Sequence, residues 1–142
     1  MIGQILAATI GSTGFAIFLK MKGKQIVFAG LGGMATWWIY LICENAFGGL
    51  FVPNLIASIF AGVFAEVMAR VNRAPATIFL TAAAVPLIPG GMLYYTMLGL
   101  VTSDEKLFAQ SGRAAVVIAL AISLGFVIVA IISKYVNRLI RN

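Results

Sequence analysis

The residues best suited to chemistry lie in a broken apolar run and on the apolar stretch before it. The run AAAVPLIPGGMLYYTM (residues 82–97) holds Pro86, Pro89, Gly90 and Gly91 within six positions. Proline removes a backbone donor and clashes with the preceding turn, and glycine loosens the chain, so residues 86–91 are expected to be non-helical. Backbone groups freed at membrane depth must be covered by protein or face water. The start of a half-helix then offers free N–H groups and a partial positive charge to an anionic group such as a carboxylate. Gly90 and Gly91 would leave no side chain between backbone and ligand, and the hydroxyls of Tyr94 and Tyr95 would add hydrogen bonds one turn on. Pro86, Pro89, Gly90, Gly91, Tyr94 and Tyr95 are therefore the candidate substrate-binding set. A proline kink that only shapes a helix bundle is the structural alternative.

Glu66 is the acidic residue well inside an apolar run, NLIASIFAGVFAEVMAR. An ionisable group within a span is costly and points to function. Ser58 and Gly62 lie on its helical line, flanked by Ala57, Ala61 and Ala65. Small residues at that spacing mark a face where another helix packs closely. Glu66 could carry a proton and couple transport to a proton gradient. The alternative is an ion pair with Arg70 or Arg73 at the end of the span.

Other polar residues have structural explanations beside the functional ones. Thr9 and Thr13, Thr77 and Thr81, and Ser123 are spaced to bond backbone carbonyls or neighbouring helices, or to touch a substrate. GLGGM (residues 30–34) lacks the lysine of a phosphate loop and reads as close helix packing. Trp37, Trp38 and Tyr40 read as an interfacial aromatic belt. The chain has no histidine and one cysteine, Cys43, so no Cys–His nucleophile, zinc site or internal disulfide can be built, and no cofactor is expected. With four acidic residues besides, an enzyme is not expected.

These residues sit in a chain of 142 residues that is 62% hydrophobic and 10% charged, with a mean hydropathy of +1.06. A soluble domain of this size could not hide so much apolar surface. The sequence predicts an all-α integral membrane protein, one polytopic domain over 1–142. Five transmembrane helices are expected, at about 1–19, 26–43, 50–69, 75–101 and 113–133, the fourth broken at its Pro/Gly motif. The first is taken as an uncleaved span, since its lysines follow the apolar run rather than precede it. Lys20, Lys22 and Lys24, then Arg70 and Arg73, then Lys134, Arg138 and Arg141 fall on one side of that layout, leaving Lys106 and Arg113 opposite. Basic residues mark the cytoplasmic face, so the N-terminus is expected outside and the C-terminus inside. The net charge of +6 is scattered between apolar runs and forms no nucleic-acid patch.

The segment AEVMARVNRAPATIFLTAAAVPLIPGGMLYYTMLGLV (residues 65–101) resembles the C-terminal membrane module of the threonine/serine exporter family. The likeness rests on the Glu–Arg helix end, the APAT start of the next span, and PLIPGG followed by an aromatic-rich half. Length and layout resemble the small subunit of the family's split, two-component form. The resemblance implies secondary export of small amino acids, or of dicarboxylates such as succinate, across a bacterial inner membrane. It also implies a larger membrane subunit as partner. Two other classes remain open on the residues alone: a non-transporting assembly subunit, and a homo-oligomeric channel, which the absence of a charged ring or carbonyl filter disfavours.

Overall fold

Where apolar residues surround the backbone, its polar groups are best satisfied within the segment, which makes helix the default. The structure, a computed structural model, describes residues 2–140; Met1, placed in the first expected span, and Arg141, placed in the basic tail, lie outside them. The described residues form α1 (Ile2–Phe18), α2 (Lys24–Phe47), α3 (Phe51–Asn72), α4 (Ala76–Ala84), a 3-10 turn (Val85–Leu87), α5 (Gly90–Val101) and α6 (Glu105–Ile140), with no strand among them. The turn between α2 and α3 uses Gly48 and Gly49 at φ 65° and 72°, a left-handed region glycine enters without a Cβ penalty.

The expected helices are present, but their bounds and number differ from the sequence layout. Three helices, α2, α3 and α6, are long and apolar enough to cross a membrane, and the α4–α5 pair makes a fourth if it counts as one span. α1, at 17 residues, is shorter than that group; it reaches about 26 Å at 1.5 Å per residue, against a hydrocarbon core of about 30 Å. Length and composition thus give up to four spans rather than five. α6 departs most from its expected span of 113–133. It runs for 36 residues, about 54 Å, because Asp104 caps it well before the apolar stretch begins. The Asp104 carboxylate accepts the Leu107 N–H at 3.1 Å, one of the otherwise unpaired first-turn donors.

α1 to α4 share a core of small side chains, with Phe79 fully buried beside Ala16, Ala29, Ala65 and Ala82. Lipid tails are as apolar as the helices, so close van der Waals contact, rather than exclusion of water, holds such helices together. Two glycines set the closeness. A Cβ at Gly33 would run into the Ser12 side chain across the α1–α2 contact, and one at Gly125 into Ser58 across the α3–α6 contact. α3 and α6 run side by side in the same direction: Ser58 meets Gly125, Gly62 meets Val129, and the Arg70 guanidinium donates to the Asn137 amide oxygen at 2.9 Å. Two neighbouring helices of the same sense need an odd number of crossings between them. The α4–α5 pair supplies one: it bends by 56° and so continues forward instead of doubling back as a re-entrant loop would.

Candidate functional site

The break begins where α4 meets Pro86. Proline has no N–H for the carbonyl of Ala82, four residues earlier, so the α-helix cannot continue and tightens into the 3-10 turn. The Ile88 N–H closes that turn on the Val85 carbonyl at 3.3 Å. Ile88 is extended, with φ −61° and ψ 124°, as the residue before a proline prefers. Pro89 then caps α5, and the first i→i−4 bond of the new helix is Leu93 N–H to Pro89 carbonyl at 3.0 Å. The expected non-helical stretch of 86–91 is therefore shorter: Gly90 and Gly91 already belong to the first turn of α5. Both are helical despite glycine's poor helix propensity.

The candidate residues separate into two faces. Pro86 lines a cavity of about 290 Å³ together with Gln4, Ala8 and Gly11 of α1, Trp37 of α2, and Val85. Gly90, Gly91, Tyr94 and Tyr95 look outward: a Cβ at either glycine would meet nothing within 4 Å, and the tyrosines are 62% and 48% exposed. Their rings stand edge to face, with centroids 5.4 Å apart. Pro89 is half-buried between the two faces. α5 packs on α6 alone among the long helices; the backbones come close at Gly99, where a Cβ would sit 2.9 Å from the Phe108 Cα.

Glu66 stands 3.9 Å from the Arg70 guanidinium, one turn away on α3. Both are partly exposed, and an exposed pair of this spacing contributes about 0.3–0.5 kcal/mol. With Ser133 and Val136 of α6 they line a second cavity of about 180 Å³. The same guanidinium nitrogen of Arg70 that faces Glu66 donates to the Asn137 amide oxygen of α6 at 2.9 Å.

Most of the hydroxyls singled out by spacing are satisfied locally. Thr9 donates to the Ile5 carbonyl at 2.8 Å, Thr13 to Thr9 at 2.7 Å, Thr81 to Thr77 at 2.7 Å and Ser123 to Ala119 at 2.7 Å. The sequence missed Ser12 and Thr36, which are fully buried, and it read Trp37 as part of an interfacial aromatic belt. Trp38 is 55% exposed, as a belt residue would be, whereas Trp37 stacks on Tyr40 at 4.7 Å and its indole nitrogen is buried. A signal was available: Ser12 shares the four-residue spacing of Ala8 and Ala16, the small-residue face that α1 buries.

The chain therefore has long apolar helices, close glycine contacts and an apolar helix pair broken at prolines beside a cavity. No curated protein and no solved structure matches it. Residues 4–132 match the family model described as Threonine/Serine exporter, ThrE, and the chain belongs to that family.

Proposed function

We propose that this chain is one subunit of a secondary exporter of the bacterial inner membrane. It moves small carboxylate-bearing metabolites, threonine- and serine-type amino acids or dicarboxylates such as succinate, together with a larger membrane subunit. The family match carries the transporter class. The α4–α5 break supports the mechanism: the N–H groups of Gly91 and Met92 precede the first bonded turn of α5, and a carboxylate approaching them meets no side chain at Gly90 or Gly91. Tyr94 and Tyr95 stand beside that approach. In this arrangement α1 is the first of five crossings, the N-terminus is outside and the C-terminus cytoplasmic. Lys22, Arg73 and Arg138, from three connectors or tails, then share the cytoplasmic side. Glu66 is the residue that takes up and releases the coupling proton.

A second reading, an assembly subunit that does not bind the solute, draws on the exposure of Tyr94 and Tyr95. Substrate protection separates the two. In native membranes, a Gly91→Cys, Cys43→Ala chain is treated with a small water-soluble maleimide. The exporter reading expects residue 91 to react and threonine, serine or succinate to slow the reaction. A residue 91 that stays unreactive, as in lipid, or reacts at a rate none of these solutes changes, would overturn the assignment of the site.

A further inference from the structure

Glu66 and Arg70 are the charged residues among those lining the cavity of about 180 Å³ between α3 and α6, and neither is fully used. They stand 3.9 Å apart, an ionic contact too long for a hydrogen bond. The Glu66 carboxylate accepts no hydrogen bond among the described residues. Arg70 gives one guanidinium nitrogen to Asn137 at 2.9 Å, and the rest of its planar fork stays open. Both side chains are partly exposed, so a solute in the cavity can reach them. The other walls are mostly apolar, among them Val63, Val67 and Val136, with Ser133 facing the pair from α6. A charged group set among apolar residues near the end of a span is costly and points to function.

An anion and a cation held side by side, with donors and an acceptor to spare, complement a zwitterion whose ammonium and carboxylate sit on one carbon. The cavity is smaller than the pockets of about 300–1,000 Å³ that hold drug-sized ligands, as suits a small solute. We propose that it is a loading site for an α-amino-acid head group. The ammonium donates to the Glu66 carboxylate, and the Arg70 fork donates to the solute carboxylate through the N–H groups that Asn137 leaves free. A dicarboxylate would set its second carboxylate against Glu66, so the pair selects amino acids within the range of solutes proposed above. The site rests on the exporter reading and adds to it two specificity-determining residues on α3, separate from the α5 site. One solute occupies one site at a time, this one first, because it lies at the end proposed as cytoplasmic. Glu66 serves the site while ionised; the proton it takes up in its coupling role displaces the ammonium.

The test uses opened native membranes carrying a Ser133→Cys, Cys43→Ala chain and a small water-soluble methanethiosulfonate reagent. Position 133 is expected to react, and L-threonine to slow the reaction. 3-Hydroxybutyrate, which lacks the ammonium, L-threoninamide, which lacks the carboxylate, and succinate are each expected to protect about tenfold less well, the worth of one hydrogen bond to a charged group. Adding Glu66→Gln or Arg70→Gln should raise the threonine concentration for half-protection by about the same factor at equal chain abundance. The analogues leave the pair untouched and decide alone if a variant fails to accumulate. An unreactive position 133, equal protection by the analogues, or protection that survives both variants would overturn the loading site. Labelling at position 91 in parallel separates the two readings: threonine protection there and none at 133 leaves the exporter reading standing, whereas none at either position overturns both.

Discussion

A Cβ at Gly125 would collide with the Ser58 side chain, whereas one at Gly91 would meet open space, so the same substitution has opposite meanings at the two glycines. Gly125→Val is expected to lower the amount of folded chain in the membrane, since overpacking a close contact costs about 1–3 kcal/mol. Gly91→Val should leave abundance unchanged and slow export by obstructing the first turn of α5; quantitative immunoblotting of membranes beside an efflux assay distinguishes them. Glu66 is argued the same way. Its pair with Arg70 spans 3.9 Å with both partners partly exposed, too weak an interaction to govern folding. Glu66→Gln is therefore expected to keep abundance while slowing export and flattening its dependence on external pH. Normal export at every pH would leave Glu66 only its ion pair. At this scale the sequence was readable where a residue type is unusual for its surroundings, as with Glu66 or the paired prolines. It was not readable where the distinction is orientation: nothing in the letters separates Thr13, bonded to its own helix, from Thr36, buried without a partner.

The broken helix is the element whose geometry follows most directly from composition. Pro86 and Pro89 each withhold an N–H, and the chain answers with a 3-10 turn, one extended residue and a 56° bend. Neither half is long enough alone: α4 has 9 residues and α5 has 12, about 14 Å and 18 Å of helix against a core of about 30 Å. Restoring a donor by Pro86→Ala should let α4 run on and open the bend. Spin labels at positions 77 and 97 would then move apart by several ångströms, and an unchanged distance would mean that packing of Val85 and Leu87, rather than the missing N–H, sets the angle. The long apolar helices were legible because their hydropathy is continuous. The extension of α6 was not, since its first turns are polar and are begun by the Asp104 cap, which a search for apolar length passes over. Residues 86–91 were expected to be non-helical because two glycines weigh against helix in propensity, whereas the Leu93 N–H already closes the first turn of α5 on the Pro89 carbonyl.

For the whole molecule, the same-sense course of α3 and α6 couples the broken crossing to the topology. In the proposed arrangement, with α1 as a crossing, the connectors holding Lys22 and Arg73 and the end of α6 holding Arg138 would share the side proposed as cytoplasmic. Lys22→Cys and Arg138→Cys, each in a Cys43→Ala chain, should be labelled by an impermeant maleimide only after the cells are opened; labelling in intact cells would reverse the orientation. Tyr94 and Tyr95 are exposed on the outward face of α5, and the proposal of a larger partner subunit predicts that the purified chain alone does not transport in liposomes. The exporter assignment itself is tested most directly by the initial rate of threonine release from preloaded native cells with the chain present and deleted. The account predicts a clear fall in that rate on deletion, restored by the wild-type chain and not by Gly91→Val at equal abundance. An identical rate in deleted and wild-type cells, for threonine, serine and succinate alike, would contradict it.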